Sequence, residues 1–206
     1  LSNPNGNIMA IMPHPERTLG NEADDLFKSM RNYMESDDPF SFKSLNFSSK
    51  KINIKKFKKP AKQNEILVST IIADNEAASV EKCINSLGVK AKVKKYLHFE
   101  IDATDRLDIN TIVSTDVLFN PSKEYIANIK EESDIYRFLV RSKDDIVGQS
   151  LAQTLQDRFN LSGLKSIKKG VVWEVKINSS RAKKDVDIIL NSHIFSNPIS
   201  QECHEY

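Results

Sequence analysis

The pairing of His14 with Glu16 is the feature of this sequence best suited to chemistry. The two residues stand in the stretch Pro-His-Pro-Glu-Arg, directly after an apolar run at residues 8–12. An imidazole can take a proton from a thiol or a hydroxyl, and a carboxylate can orient that imidazole and favour its charged form. His14 and Glu16 are therefore candidates for two members of a nucleophile–base–orienter triad.

The local sequence predicts how these two side chains are held. The short apolar run at residues 8–12 predicts a buried strand. Pro13 and Pro15 fix their own φ and push the residues before them into the extended region, so an extended segment should follow. Alternate residues of such a segment project to the same side, at the carboxyl end of the strand. The alternative is a His and a Glu in a proline-rich turn with no catalytic role, because short motifs often match by chance.

The complete sequence of residues 6–17 also resembles that of a known family. It reads Gly-Asn-Ile-Met-Ala-Ile-Met-Pro-His-Pro-Glu-Arg. It resembles the end of the class I glutamine amidotransferase domain of phosphoribosylformylglycinamidine (FGAM) synthase, the PurQ subunit. The resemblance covers roughly residues 3–34, with Ala10 in place of a usual glycine. It implies that His14 and Glu16 are catalytic and serve a cysteine that hydrolyses glutamine to release ammonia.

The cysteine nucleophile of that family has no counterpart here. It should lie among glycines at a strand-to-helix turn, and neither Cys83 nor Cys203 has such neighbours. We therefore expect that the N-terminus is cut and that the nucleophile lies before Leu1. This chain alone is then expected to be inactive as a glutaminase. The other histidines, His98, His193 and His204, lack a partner at metal-ligand spacing, so no metal site is predicted.

The amino-acid composition limits the classes of protein to which this chain can belong. The 206 residues suffice for one or two domains, and the net charge of only +2 gives no indication of a nucleic-acid partner. Two cysteines do not form a disulfide framework and indicate a reducing, cytoplasmic location. No apolar run approaches the ~18 residues of a membrane span, so no membrane association is predicted.

The first 64 residues read as two segments. Residues 1–35 would be the amidotransferase remnant, a strand followed by a helix at residues 21–34 with Asn21 as N-cap. An apolar stripe at three- and four-residue spacing marks that helix: Ala23, Leu26, Phe27, Met30 and Met34. Residues 36–64 are rich in lysine and predict a solvated basic linker, with contact to an acidic partner or RNA as the alternative.

Residues 65–130 and 134–206 predict two copies of one module. Each copy reads β-α-β-β-α-β, an α+β fold with helices on one face of an antiparallel sheet. In the first copy, Gly88 would stop a helix at residues 76–87. In the second copy, Asp144 or Asp145 would cap a helix to about residue 160, and Lys169–Gly170 would be a turn. The apolar stripe of that second helix would be Val147, Leu151, Leu155 and Phe159. Asn120–Pro121 is matched by Asn197–Pro198 at an offset of 77 (197 less 120), and Glu100 by Glu174 at an offset of 74 (174 less 100).

The second copy resembles PurS, the small subunit of the same synthase. The resemblance rests on Ile-Lys-Lys-Gly at residues 167–170, Trp-Glu-Val at 173–175 and Ile-Phe-Ser-Asn-Pro-Ile at 194–199. Val171 stands where the family usually has lysine. The first copy is more diverged, with Tyr96 at the position of the turn glycine, but it keeps Phe119-Asn120-Pro121.

Together these resemblances imply a component of FGAM synthase in purine biosynthesis. That enzyme converts formylglycinamide ribonucleotide to the amidine with ATP and glutamine. PurS-like modules pair with each other and would bridge the glutaminase to a PurL-like large subunit. That subunit would hold ATP and Mg, so no cofactor is expected on this chain. The alternative is a pair of small-molecule-sensing regulatory modules fused to an amidotransferase remnant.

Overall fold

A computed structural model describes residues 8–12, 14–17, 23–36, 54–60, 63–104 and 107–206. The chain divides into two compact units, Leu1–Ser48 and Ser49–Tyr206. None of the helices among the described residues combines the length and apolar character needed to cross a bilayer.

The first unit contains a 3-10 helix, Pro15–Arg17, and helix α1, Asp24–Glu35. Helix α1 begins later than predicted: its N-cap position is Ala23, and the predicted cap Asn21 lies outside the described residues. Asp24 and Asp25 in the first turn complement the positive end of the helix dipole. None of the helix residues is buried, and the predicted apolar stripe is exposed at Phe27, Met30 and Met34.

Two predictions for residues 8–17 are wrong. Residues 8–12 are exposed rather than buried, and Met9 makes a single β-bridge instead of a strand. The segment from Pro15 turns instead of extending, and the Arg17 amide donates to the His14 carbonyl at 3.0 Å. The physical reason is that the φ fixed by proline suits the first turn of a helix as well as an extended chain.

The second unit is a mixed seven-stranded sheet with four helices among its described residues, which confirms the α+β class. The strands are β1 (Lys55–Lys56), β2 (Asn64–Thr70), β3 (Ala91–Ala103), β4 (Glu124–Ile126), β5 (Ile135–Ser142), β6 (Leu164–Ile177) and β7 (Gln201–Glu205). The helices are α2 (Asn75–Ser86), α3 (Ile109–Val113), α4 (Ile146–Phe159) and α5 (Ala182–Asn191). The strand order is β1-β7-β5-β6-β3-β2-β4, antiparallel except for the parallel pair β1–β7.

The four helices of this unit cover one face of the sheet. Directly paired residues point to the same side of an antiparallel sheet, so Val93 with Val175 and Ile101 with Ile167 share a face. These side chains belong to two apolar clusters that also hold one buried isoleucine or leucine from each helix: Ile84, Ile112, Leu155 and Ile189. The opposite side of the sheet is called the open face below.

The predicted hairpin at Lys169–Gly170 is wrong, because β6 is one continuous strand. Gly170 pairs with His98 on one side and with Arg141 on the other. Strand β3 likewise runs through Tyr96 without a turn. Each repeat is therefore β-α-β-α-β. Position 170 requires glycine because there is no room for a side chain: a Cβ there would lie 2.9 Å from Leu139 Cδ1 and 3.0 Å from Arg141 Cγ.

The two repeats are related by a pseudo-two-fold axis through the centre of the sheet. Strand β3 pairs antiparallel with β6 from Ala91↔Ile177 onwards. At the offset of 74 seen for Glu100 and Glu174, Leu97 is equivalent to Val171, and these two residues are also direct partners in the ladder. A residue that pairs with its own equivalent lies on the axis. The two halves therefore meet as a dimer would, within one chain.

The helix ends repeat as well. Asp74 and Asp145 occupy the N-caps of α2 and α4 and accept backbone N–H bonds there. After these helices, Gly88 has φ 83° and Asn160 has φ 54°, the left-handed conformation that ends many helices. Gly88 was predicted to stop α2, and it does.

The two Asn-Pro pairs have a different role from the helix termination that Asn-Pro usually signals. Asn120 Oδ1 accepts from the Ser122 amide at 3.0 Å, and Asn197 Oδ1 accepts from the Ile199 amide at 2.9 Å. Such side-chain turns reverse the chain. Here they lie directly before β4 and β7, so the motif starts the last strand of each repeat.

Two further predictions differ from the structure. The solvated linker was predicted to extend to residue 64, but Lys55 and Lys56 pair with β7. In α4, Val147 and Phe159 of the predicted inward stripe are exposed, whereas Ala152 and Gly148 are buried. The reason is close approach of the helix to the sheet: a Cβ at Gly148 would lie 2.4 Å from the Ile167 carbonyl oxygen.

Candidate functional site

The predicted site residues His14 and Glu16 lie together. His14 Nδ1 is 2.9 Å from Glu16 Oε1, and both side chains are more than half exposed. The 3-10 turn, rather than an extended segment, makes this contact. A carboxylate on Nδ1 leaves Nε2 as the nitrogen that can exchange a proton. Their catalytic role stays a prediction.

Both cysteines belong to the second unit. Cys83 is exposed on α2, and Cys203 is partly buried on β7. Burial raises the pKa of the Cys203 thiol to about 11, against a smaller opposing effect of the hydrogen bond with Ser196. Cys203 is therefore a neutral thiol at physiological pH and a poor nucleophile, because the thiolate is the reactive form.

A second polar site, which the sequence did not predict, lies on the open face. His98 is fully buried there, and Glu100 is 3% exposed. His98 Nε2 hydrogen-bonds Glu65 Oε1, and His98 Nδ1 lies 3.3 Å from Arg141 Nη2. Arginine can only donate. A neutral imidazole with its proton on Nε2 satisfies both contacts.

Arg141 joins the two repeats across a strand. Its Nη2 donates to Glu100 Oε2 at 2.9 Å, and Lys168 Nζ lies 3.3 Å from Glu100 Oε1. Arg141 is on β5 and Glu100 on β3, so the side chain must cross β6 over a span of about 10 Å, twice the strand spacing. It crosses beside Gly170, where no side chain stands in the way.

Two aromatic rings cover this site. Phe57, just after β1, stacks on Tyr206 with ring centroids 5.6 Å apart, and the Arg141 guanidinium lies 5.0 Å from the Phe57 centroid. Burial opposes ionisation of Glu65, but hydrogen bonds with His98 and Tyr206, together with nearby positive charge, outweigh it and lower the pKa of Glu65. The same burial and the Glu65 charge raise the pKa of Tyr206.

The other half of the open face carries the two-fold counterpart. Glu174 Oε2 accepts from Arg137 Nε at 2.8 Å, and Lys94 Nζ lies 3.7 Å from Glu174 Oε1. The Tyr96 hydroxyl lies 3.4 Å from Glu174, and burial together with that carboxylate raises the pKa of Tyr96 to about 12. Each repeat thus supplies a glutamate that pairs with a lysine of the other repeat.

Each of the two clusters is a network of paired charges, since Glu100 contacts Arg141 and Lys168, and Glu174 contacts Arg137 and the Tyr96 hydroxyl. They hold the central strands in register. The sequence does carry a signal: even-numbered residues of β3 from 92 to 102 are polar and alternate with mostly apolar ones. Which charges meet depends on the register between β3 and β6, which no local pattern gives.

Comparison with known proteins adds no family. The sequence matches no protein-family model and no curated protein at a significant level of similarity.

Proposed function

We propose that this chain is a component of FGAM synthase, in which a tandem PurS-like pair bridges a PurQ-like glutaminase and a PurL-like synthetase subunit. The complete assembly would use glutamine and ATP to convert formylglycinamide ribonucleotide to its amidine. This chain would serve delivery of ammonia, and the large subunit would hold ATP, Mg and the ribonucleotide.

The observation that carries the proposal is the pairing of β3 with β6 about a pseudo-two-fold axis. PurS-like subunits pair and join their sheets. Two repeats that pair in this way within one chain would be the covalent equivalent of a PurS dimer. Fusion raises the effective concentration of each repeat for the other. Resemblance of residues 6–17 to the PurQ ending supports the same assembly.

In this proposal His14 is the general base and Glu16 its orienter. A cysteine thiolate, generated by proton transfer to His14, attacks the side-chain amide carbon of glutamine. The C–N bond breaks, and the imidazolium returns its proton to the leaving ammonia. Water then hydrolyses the thioester to glutamate and regenerates the thiol. The contact between Nδ1 and Glu16 would hold the ring and stabilise its charged form.

The test is the glutaminase activity of the whole natural protein assembled with its synthetase partner. We expect His14→Ala to lower ammonia release about 100-fold or more, the usual contribution of a general base. Glu16→Gln should also lower the rate, by less. Asp25→Asn is the matched control, because this carboxylate is exposed in the same unit and, among the described residues, pairs with Lys28 alone, at 3.4 Å.

Normal activity of His14→Ala would remove the assignment, as would a wild-type assembly that releases no ammonia from glutamine. The sensing alternative makes a different demand. It requires that the pair bind a small molecule with no synthetase subunit present, and that no assembly with such a subunit form.

A further inference from the structure

A cleft on the open face is formed jointly by the two repeats. It lies where β3 begins and β6 ends, and the connector that follows β4 forms its rim. Tyr96 comes from the first repeat, Arg137 from the second, and Lys130 from the connector. Its volume is about 320 Å³. The cleft therefore exists only when the two repeats are paired.

Positive charge dominates this cleft. Two carboxylates line it, Glu132 and Glu174, against five cationic side chains: Lys92, Lys94, Lys130, Arg137 and Lys176. Just outside the lining, Glu81 pairs with Lys92 at 2.7 Å and Asp134 with Lys176 at 3.1 Å, so five cationic groups meet four carboxylates and the surplus is one positive charge. Low-dielectric walls around such a surplus concentrate the field on a bound anion.

Arg137 is held in place at the base of the cleft. Its side chain is 9% exposed, its Nε donates to Glu174 Oε2 at 2.8 Å, and its Nη2 donates to the Lys130 carbonyl at 2.6 Å. A guanidinium fixed in this way need not be ordered when a ligand arrives. The Tyr96 hydroxyl donates its one proton to Glu174 Oε1 at 3.4 Å and so helps to hold that carboxylate in place beside Arg137.

Two lysines at the cleft are available for a ligand. Lys94 is 72% exposed, and its pairing with Glu174 is long, at 3.7 Å, so its amine can also contact a ligand. Lys130 is exposed, and its amine makes no ion pair with any described residue. Glu132, in contrast, already pairs with Lys176 at 3.3 Å. The carboxylates are thus occupied while part of the positive charge is not.

We propose that this cleft binds a small anion that carries phosphate groups. Arginine and lysine together are the side chains proteins use for phosphate oxygens. A cavity of this size suits a small metabolite, since ligand pockets start at roughly 300 Å³. The proposal concerns the second unit and has a different readout from the glutaminase assignment, so either can fail without the other. Pyrophosphate binding without a synthetase subunit is also what the sensing alternative requires, and assembly with that subunit is the observation that separates the two functions.

The experiment is isothermal titration calorimetry of the whole chain with inorganic pyrophosphate, at an ionic strength held constant with chloride. We expect saturable binding of one pyrophosphate per chain. The double variant K94Q/K130Q should bind about tenfold more weakly, at about a few-fold for each exposed charge removed. Thermal unfolding of each variant without ligand reports whether the fold is intact.

Lys168→Gln is the matched control. It is the two-fold equivalent of Lys94, on the same face of the sheet, and it lies outside this cleft. Its affinity should equal that of the wild type. Equal weakening by Lys168→Gln would indicate nonspecific attraction and overturn the proposal, as would absence of pyrophosphate binding. A short single-stranded oligonucleotide that binds when pyrophosphate does not would assign the phosphate chemistry to nucleic acid and equally overturn a small-ligand site.

Discussion

His98 is a buried residue whose ring contacts side chains from both repeats. Its ring lies between the Glu65 carboxylate, which accepts from Nε2, and the Arg141 guanidinium, which donates to Nδ1. Lys59 Nζ, 3.6 Å from Glu65, adds a second positive charge on the carboxylate side. Both ring nitrogens have a hydrogen-bond partner in the tautomer that carries its proton on Nε2. The ionised form of Glu65 is the charge that this arrangement favours.

We predict that Glu65 contributes to acid unfolding. Its pKa in the folded chain lies below the ordinary 4.5, so the unfolded state binds the proton first. The stabilisation is fully present above about pH 5 and is lost as the pH falls through the lowered folded pKa. Urea unfolding between pH 3 and 7 should therefore show a shallower loss of stability for Glu65→Gln than for the wild type. Glu131→Gln, exposed in the connector, should keep the wild-type slope, and an identical slope for Glu65→Gln would contradict the prediction.

At the scale of elements, the long strands β3 and β6 organise the second unit. Each is continuous, and each is longer than the outer strand beside it, which is β2 for β3 and β5 for β6. The surplus length is supported from the helices: Glu81 accepts from the Val93 amide at 3.0 Å, and Asp145 accepts from the Lys169 amide at 2.6 Å. Val93 and Lys169 lie outside the parts of β3 and β6 that pair with β2 and β5, so the helices satisfy backbone donors that have no partner strand on that side.

Gly170 tests the continuity of β6. We predict that Gly170→Ala lowers the free energy of unfolding by about 1–3 kcal/mol, because the new Cβ would meet Leu139, Arg141 and the Val140 carbonyl at about 3 Å. Were position 170 in a hairpin turn instead, its side chain would point to open space. Ser166→Ala, on the same strand and face, is the control and should change stability by no more than about 0.5 kcal/mol. Chemical denaturation of both variants gives the comparison, and a neutral Gly170→Ala would contradict the strand.

The sequence predicted these elements unevenly. Helix α2 ends at Gly88 as predicted, and α4 is capped by Asp145, because caps and left-handed residues are local signals. The prediction of a hairpin at Gly170 was wrong because the sequence does not distinguish a glycine that leaves room for neighbouring side chains from a glycine that forms a turn. His14 and Glu16 were predicted to meet and do, although through a helical turn.

At the scale of the molecule, the second unit is one sheet made from two repeats. Two glutamates at equivalent positions, Glu100 and Glu174, each pair with a lysine contributed by the other repeat. The sequence showed the repetition, but it could not show that the repeats share a sheet. That information lies in the register of β3 against β6, which joins residues that are 61 (164 less 103) to 86 (177 less 91) positions apart in the chain.

The most direct test of the proposed function is glutamine-dependent synthesis by the assembled complex. The PurL-like subunit should be incubated with formylglycinamide ribonucleotide, ATP and glutamine, with and without the whole natural protein, and amidine formation measured. Ammonium chloride replaces glutamine in the control reaction. We predict that glutamine supports the reaction only when the protein is present, whereas ammonium supports it in both cases. Glutamine use that does not depend on the protein, or no rate gain when it is added, would contradict the account.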